Sequence, residues 1–294
     1  MTSACPVCGA TVVRPEHTGF IELLRCGQCS LVMQASRDAA YAADLYAYYE
    51  KLEGQGVEVL YPPLNDRRQI EILSSFRRAP GRRLLDVGCG IGQFVRSATR
   101  DGWDARGIDL ATHAVRVAQK HGVRCDVVDF FAPELAAQRF DVITMFEFLE
   151  HVALPMPFLE RAATLLAPGG LLYLTTPNFD SVERWLLGAD WRVIHPEHLL
   201  YFTPRSLRAA VRRTGAFRLE WLHAHNVSAE ALGRVRSLVV RGARQVPSQV
   251  STSEVDLREA VERRWVTRLA KAGVNRVLSR LGGGATLKLL AVRA

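Results

Sequence analysis

Four cysteines near the start of the chain have the spacing of metal ligands. They form two C-x₂-C pairs, Cys5 with Cys8 and Cys26 with Cys29, separated by 17 residues. Two such pairs can enclose one tetrahedral thiolate site, and a module of about 35 residues needs such a crosslink to fold. Iron also fits four thiolates, but zinc is the simpler prediction for a small ribbon without a redox partner. The sequence therefore predicts a structural zinc ion in the first 36 residues.

A second group of residues suited to binding forms a glycine loop after the apolar stretch "LLDV". An acidic residue and three glycines alternate along it: Asp86, Gly88, Gly90 and Gly92, with Cys89 between the first two glycines. A dinucleotide loop needs a third glycine where Gln93 stands, and a phosphate loop needs a lysine that is missing here. Glycines let a ligand approach the backbone closely, and Asp86 offers a carboxylate to a cationic amine. These features predict a nucleotide-like ligand without phosphates.

Two later carboxylates complete this pattern. Asp109 is the fourth residue of the stretch "RGIDL" and lies 23 residues after Asp86, where a carboxylate can accept both hydroxyls of a ribose. Asp129 and Phe130 end the stretch "VVDF" and can meet the amine and the ring of an adenine. S-adenosylmethionine carries a cationic amine, a ribose and an adenine, and it has no phosphate.

The elements that must position these residues alternate between strand and helix. Short apolar runs such as "RRLLDVG", "FDVITMFE" and "GLLYLTTPN" are separated by helical stretches that start near Gln93, Ala111, Pro133 and Pro157. A short amphipathic helix is predicted over residues 67–78. This alternation indicates an α/β fold with a parallel sheet between two helical layers.

The chain can be divided on this basis into five segments. We predict a zinc-binding ribbon (1–36), a helical linker (37–80), a cofactor-binding core (81–225), a basic helical insert or lid (226–284) and the last strand of the core (285–294).

From about residue 67 to 217, the sequence resembles the class I S-adenosylmethionine-dependent methyltransferases. The motifs that carry the resemblance are "LLDVGCGIG", "GIDL", "FDVITMFEFLEHV", "LLAPGGLLYLTTPN" and "HPEHLLYFTPRSL". The resemblance implies a Rossmann-like sheet of seven strands with an antiparallel last strand, and S-adenosylmethionine as cofactor. It also implies that Leu110 and Phe146 line the cofactor site with the residues named above.

The stretch "EFLEH" supplies candidates for the chemistry of methyl transfer. It resembles the E-x-x-E-H stretch of ubiquinone-type O-methyltransferases, which implies magnesium as an optional cofactor at Glu147, Glu150 and His151. The alternative is that Glu147 orients its neighbours, Glu150 caps a helix and His151 packs beside the cofactor. A hydroxyl acceptor needs a base, and we predict His151 near the active site, with His198 as a second candidate for a catalytic or acceptor-orienting role.

The N-terminal ribbon narrows the class of acceptor. The ribbon followed by "YAADLYAYYE" resembles bacterial enzymes that methylate small molecules, sugars or glycans, and ribosomal-RNA methyltransferases are the second group with such a ribbon. Residues 1–35 hold only Arg14 and Arg25 against Glu16 and Glu22, which makes nucleic acid an improbable partner. A small-molecule, glycan or lipid-linked acceptor is therefore the first prediction, and a noncatalytic interaction module is a remote third.

The net charge of +8 is confined to the C-terminal end, because residues 227–294 hold 13 basic and five acidic residues. Within this segment, residues 229–244 have an apolar face rimmed by arginine. Such a helix either packs on the core as a lid or lies on an anionic lipid surface. With no signal peptide or membrane span in the sequence, we expect a cytoplasmic protein, optionally peripheral to the membrane.

Overall fold

The architecture comes from a computed structural model that describes residues 4–11, 13–16, 21–36, 56, 60–61, 63–226 and 282–294. The tyrosine-rich stretch and nearly all of the basic insert lie outside these residues, so the lid and its lipid contact stay predictions. No helix among the described residues is long and apolar enough to cross a membrane.

Eleven strands in the described residues form two sheets. Their bounds are β1 (Val13–Glu16), β2 (Leu23–Cys26), β3 (Val32–Gln34), β4 (Arg83–Val87), β5 (Asp104–Asp109), β6 (Cys125–Val127), β7 (Phe140–Phe146), β8 (Leu166–Pro177), β9 (Leu200–Tyr201), β10 (Phe217–His225) and β11 (Thr286–Arg293). The larger sheet has the order β10-β11-β8-β7-β4-β5-β6, in which β11 runs antiparallel to both of its neighbours. The predicted seven-stranded Rossmann-like sheet is thereby confirmed.

Six α-helices of the described residues cover this sheet or connect its strands. They are α1 (Pro63–Ser74), α2 (Gln93–Arg100), α3 (Thr112–Lys120), α4 (Pro155–Leu165), α5 (Val182–Leu187) and α6 (Pro204–Arg213). The helix predicted over 67–78 begins and ends four residues earlier. The helix predicted from Pro133 is only a 3-10 turn, Pro133–Leu135.

The core lies on both faces of the larger sheet because its strands alternate between them. In β4, Leu84 belongs to the apolar cluster that includes Val95 and Ala118, whereas Leu85 belongs to the cluster that includes Leu159 and Leu207. Successive side chains of a strand point to opposite faces, so one apolar run supplies both layers. Helices α2 and α3 therefore cover one face, and α4 and α6 cover the other.

The N-terminal ribbon joins the second of these faces. Its buried residues Cys5, Val7 and Met33 belong to the same cluster as Leu159 and Leu207. Strand β3 pairs antiparallel with β9, which extends the three ribbon strands into a four-stranded sheet of order β1-β2-β3-β9. The ribbon thus provides the partner strand for β9, which has only two residues.

The last strand is held in place by a buried side-chain amide. The Nδ2 group of Asn178, which follows β8, donates to the carbonyl oxygens of Gly282 at 2.9 Å and Gly284 at 2.7 Å. The backbone N–H of Asn178 donates to Ala285, directly before β11. Asn178 is fully buried, so water cannot replace either partner in these hydrogen bonds. The amide and the two carbonyls therefore depend on each other.

We expect Asn178→Asp to destabilise the protein by about 3 kcal/mol, because a carboxylate cannot donate to the two carbonyls and becomes a buried charge. Urea unfolding measures the change. Gln138→Glu is the matched control, since the amide of Gln138 also donates to a carbonyl, that of Glu134, but at an exposed position. Equal unfolding midpoints for the two variants would contradict this account.

Candidate cofactor cleft and histidine cluster

The glycine loop turns sharply between β4 and α2. Gly88, Gly90 and Gly92 all have positive φ, at 71°, 53° and 72°, a region that favours glycine. At Gly88 a Cβ atom would lie 2.5 Å from the ring of Phe148, and at Gly92 it would lie 2.7 Å from the Sγ of Cys125. The glycines thus allow the loop to approach both the segment after β7 and the strand β6.

Asp109, at the end of β5, holds this loop from the side. One carboxylate oxygen accepts the backbone N–H of Gly90 at 2.8 Å, and the other accepts the backbone N–H of Ala111 at 2.8 Å. The next residue, Leu110, is 59% exposed. Asp109 therefore orders the loop and the start of α3 beside an exposed apolar side chain.

Asp86 lies beneath the loop and is buried. It accepts a hydrogen bond of 2.6 Å from the hydroxyl of Thr144 on the neighbouring strand β7. Burial raises the pKa of the Asp86 carboxyl to about 7, although the Thr144 hydroxyl opposes the shift. A cation at this position would restore the charged form.

The residues after β6 differ in their exposure. The carboxylate of Asp129 is exposed and accepts the backbone N–H of Phe131 at 2.7 Å. Phe130 is buried and stacks parallel on Phe158, whereas Phe131 is 44% exposed. The ring that faces solvent here is therefore that of Phe131, which the sequence analysis did not single out.

Two other residues were predicted to line the cofactor site: Phe146, at the end of β7, and Cys89, within the glycine loop. Phe146 is half-buried, with its ring centroid 4.6 Å from that of Phe94 and 5.5 Å from that of Tyr173. Cys89 is buried, and a Cβ on Gly107 would lie 2.6 Å from its Sγ and 2.9 Å from that of Cys125. Gly107 thus leaves room for two packed thiols beneath the loop.

The segment after β7 lies over the start of the glycine loop. Glu147 has φ of 45°, which a residue with a side chain rarely adopts, and its N–H donates to the carbonyl of Thr175. Glu147 is exposed as a residue, although burial raises the pKa of its carboxyl above the ordinary value. Glu150 is 1% exposed and lies in the 3-10 turn Leu149–His151. This turn directly follows Phe148, the residue that lies against Gly88 of the glycine loop.

Glu150 is a buried carboxyl without a hydrogen bond of good geometry among the described residues. Burial raises its pKa well above the ordinary value, and the charge of nearby Glu147 raises it further. The prediction that Glu150 caps a helix has no support in these contacts. Buried groups with displaced pKa values are concentrated at functional sites.

Three histidines meet beside Glu150. The ring centroids of His151 and His198 are 4.7 Å apart, and those of His198 and His195 are 3.8 Å apart. The Nδ1 atom of His151 lies 3.1 Å from the carbonyl of Glu197, and that of His198 lies 2.8 Å from the carbonyl of Val193. The two predicted catalytic residues are thus neighbours, joined by a third histidine from the same motif.

These contacts fix the tautomer of both rings. A carbonyl oxygen can only accept, so Nδ1 carries the proton in His151 and in His198. Burial lowers the pKa of both rings, to about 3 for His198 and to below its ordinary value for His151. Each neutral ring therefore keeps a lone pair on Nε2. The Nε2 of His151 is the stronger base of the two, because the pKa of His198 is lowered further.

The optional magnesium site does not match the donors that the structure brings together. Ligand atoms of Glu150, His151 and His198 lie within 4.8 Å of one another, and Glu147 is not in this group. Magnesium prefers oxygen ligands in octahedral geometry, and this group has two imidazoles and one carboxylate. These donors therefore do not fit a magnesium site.

Of the four aromatic residues Trp185, Trp191, Tyr201 and Phe202, which lie in and before the motif of His198, three are core residues. Trp191, Tyr201 and Phe202 are at most 2% exposed, and Trp191 and Tyr201 pack around Phe179. Trp185 on α5 is 80% exposed. It is the one of the four that can meet a ligand from solvent.

The four ribbon cysteines have the geometry of a metal site. The Sγ atoms of Cys5 and Cys29 are 3.5 Å apart, as are those of Cys8 and Cys26, and all four lie within 4.8 Å of one another. Tetrahedral zinc–thiolate bonds of about 2.3 Å place sulfur atoms about 3.8 Å apart, so the arrangement fits zinc.

Comparisons with known proteins agree with this geometry. A family model described as "Methyltransferase domain" matches residues 65–217. The ubiquinone biosynthesis O-methyltransferase of Burkholderia thailandensis is 35% identical over 154 residues, which cover 49% of this chain and 64% of that protein. An enzyme of the same name from Albidiferax ferrireducens is 34% identical over 178 residues, covering 57% of this chain and 67% of the relative.

Two solved structures share the fold. A SAM-dependent methyltransferase from Archaeoglobus fulgidus has a TM-score of 0.54 at 18% identity, covering 85% of this chain and 99% of that one. A structure described as a sarcosine dimethylglycine methyltransferase from Galdieria sulphuraria has a TM-score of 0.52 at 14% identity, with 85% and 98% covered.

The chain therefore belongs to the methyltransferase-domain family, and its fold is that of class I S-adenosylmethionine-dependent methyltransferases. It spans slightly less than two thirds of the length of the first curated relatives that it matches.

We expect the purified protein to hold one zinc ion per chain, bound by the four ribbon thiolates. Elemental analysis measures the metal, and Cys26→Ser should remove it, because three thiolates bind zinc more weakly than four. Cys125→Ser, which changes a buried thiol beside the glycine loop, is the control and should keep the ion. Four freely titratable thiols in metal-free protein would refute the zinc site.

Proposed function

We propose that this chain transfers a methyl group from S-adenosylmethionine to a hydroxyl group of a small-molecule acceptor. The observation that carries the proposal is the pair of neutral histidines, His151 and His198. Their Nε2 atoms can accept a proton, and Phe148, three residues before His151, lies against the glycine loop. An enzyme that methylates a hydroxyl needs a base within hydrogen-bond reach of the acceptor oxygen.

The cleft suits the chemistry of the cofactor, which supplies an electrophilic methyl group on sulfur. Asp86 can pair with the amine and Asp109 with the ribose hydroxyls. Asp129 and Phe131 can meet the adenine, beside the apolar side chain of Leu110. The protein must then align the acceptor with the methyl group and keep water out, since the cofactor carries the reactivity.

The acceptor proton goes to an imidazole in this proposal. With cofactor and acceptor bound, the Nε2 of His151 or His198 would take the proton of the acceptor hydroxyl, while the cofactor would supply the methyl group and leave as its neutral thioether. The ring bearing the proton is stabilised by its Nδ1–H contact with a backbone carbonyl. The ring of His151 contacts the carbonyl of Glu197 and that of His198 contacts the carbonyl of Val193, so carbonyls of residues 193–197 orient both rings.

A small-molecule acceptor is favoured over RNA by the relatives and by the ribbon. The curated relatives are named as O-methyltransferases of ubiquinone biosynthesis. In the described part of the ribbon, Arg25 is already paired with Glu16 at 2.9 Å and Asp180 at 3.0 Å, which leaves little positive charge for phosphates. Sugar, glycan and lipid-linked hydroxyls remain within the proposed class.

The proposal is tested by incubating the protein with methyl-labelled S-adenosylmethionine and fractionated cell extract. We expect label in the small-molecule or lipid fraction, as a methyl ether that survives alkali. Label confined to the RNA fraction would establish the competing function. No transfer to any fraction, despite cofactor binding, would favour the noncatalytic module.

Binding of S-adenosylhomocysteine should strengthen as pH rises through about 7. Below that pH the Asp86 carboxyl, with its pKa raised to about 7, is protonated and cannot pair with the ligand amine, so affinity at pH 6 should be about tenfold lower than at pH 8. Calorimetry at several pH values measures this. Asp86→Asn should bind weakly at every pH, and the same pH dependence in that variant would exclude Asp86 as its source.

His151→Ala and His198→Ala should each lower kcat by about 100-fold or more, because each removes a candidate base. Their affinity for S-adenosylhomocysteine should change little. His223→Ala is the control, since His223 is exposed and stacks on Trp221 away from this cluster. Full activity in both cluster variants would show that neither ring is the base.

A further inference from the structure

The histidine loop, residues 195–198, is held from inside by a residue of the zinc ribbon. The side-chain amide nitrogen of Gln34 lies within hydrogen-bond distance of three carbonyl oxygens of this loop, those of His195 at 3.3 Å, Pro196 at 3.0 Å and His198 at 3.0 Å, and its two N–H bonds are shared among them. The backbone N–H of Gln34 also donates to the carbonyl of Leu199 at 3.0 Å. Gln34 therefore provides hydrogen-bond donors for the carbonyls of four of the five residues from His195 to Leu199.

These contacts lie away from water. Gln34 is only 8% exposed, at the end of β3, and Met33 and Leu200 beside it are fully buried. Loop carbonyls that turn inward need donors, and in the described residues the ribbon supplies them. The hydroxyl of Tyr201 adds a second donor to the carbonyl of His195 at 3.3 Å.

The loop in turn sets both imidazoles. The carbonyl of Glu197, between the residues that Gln34 holds, faces the Nδ1 of His151, and the Nδ1 of His198 reaches the carbonyl of Val193. If the loop shifts, both rings lose the partners that keep their protons on Nδ1. The orientation of the base thus depends on a side chain that touches neither ring.

The ribbon can hold Gln34 firmly because the metal knuckle lies five residues before it. Within the knuckle, the N–H of Cys26 donates to the carbonyl of Leu31 at 2.8 Å and that of Ser30 donates to Cys26 at 3.0 Å. From there β3 runs directly into its pairing with β9. A rigid path of backbone hydrogen bonds therefore leads from the cysteine cluster to the histidine loop.

We propose that Gln34 is a positioning residue of the acceptor site, and that the zinc ribbon is the support from which it fixes the Nδ1–H tautomer of His198 and His151. This inference deepens the proposed function and rests on it for the role of the two histidines. In this proposal, the ribbon orients the imidazoles through Gln34, whether or not the ribbon itself contacts the acceptor.

The test uses the full chain with ¹⁵N-labelled histidine, without acceptor, at pH 7.5. Wild-type protein should show a protonated Nδ1 and an unprotonated Nε2 for His198, assigned by loss of that signal in His198→Gln. Gln34→Met, of similar length but without donors, should lose this tautomer in favour of the Nε2–H form, which is the more common one in free histidine. Gln34→Glu is a second variant of the same shape and should do likewise.

Arg213→Gln is the matched control. Arg213 also joins the core to the ribbon, through a 3.1 Å hydrogen bond to the carbonyl of Cys8, but does not contact the histidine loop. This variant should keep the tautomer. Zinc content and affinity for S-adenosylhomocysteine should be the same in all variants, and with an acceptor in hand kcat should fall about tenfold or more only in the Gln34 variants, with KM for the cofactor unchanged.

An unchanged His198 tautomer in folded, zinc-loaded Gln34→Met or Gln34→Glu would overturn the proposal, as would an Nε2–H tautomer in the wild type. The tautomer is read without methyl transfer. A failure of Gln34 as positioning residue is therefore distinguishable from a failure of the proposed reaction, which only the labelling experiment detects.

Discussion

The pairing of β3 with β9 is the interaction on which the rest of the acceptor side depends. It is short, with Val32 opposite Tyr201 and Met33 opposite Leu200. A two-residue strand has little stability by itself, and here the buried residues of the ribbon and the core close around it. Because β9 starts two residues after His198, whatever fixes this strand also fixes the histidine loop. The metal-binding module and the methyltransferase core consequently form one structural unit at the point where function is proposed.

The cofactor side could be predicted from the sequence in considerable detail, because its signals are local. Alternating glycines, a carboxylate at the end of a strand and the strand–helix alternation each reflect a backbone requirement within a few residues. The positive φ values of Gly88, Gly90 and Gly92 and the contacts of Asp109 are the physical form of that pattern. The seven-stranded sheet with its antiparallel last strand followed from the resemblance to a known fold.

The acceptor side was predictable only in part, because its geometry depends on residues far apart in the chain. His151 and His198 were identified from their motifs, but the contact of their rings, the third ring of His195 and the amide of Gln34 arise only when β7, the histidine loop and the ribbon meet. Gln34 has no signal in the sequence, since a glutamine at the end of a short strand is ordinary. Phe130 stacks on Phe158 in the core, whereas its neighbour Phe131 is 44% exposed. Both lie in a turn after β6, where no strand periodicity shows which ring is buried.

The backbone contacts of the two imidazoles also constrain the order of events after methyl transfer. Each Nδ1–H is engaged by a carbonyl, so a ring cannot turn over to release its new proton on the far side. In the proposed reaction, the proton would therefore have to leave from the same Nε2 that received it. An engaged Nδ1–H would in this way leave each ring a single nitrogen for both taking up and giving up the proton of the acceptor.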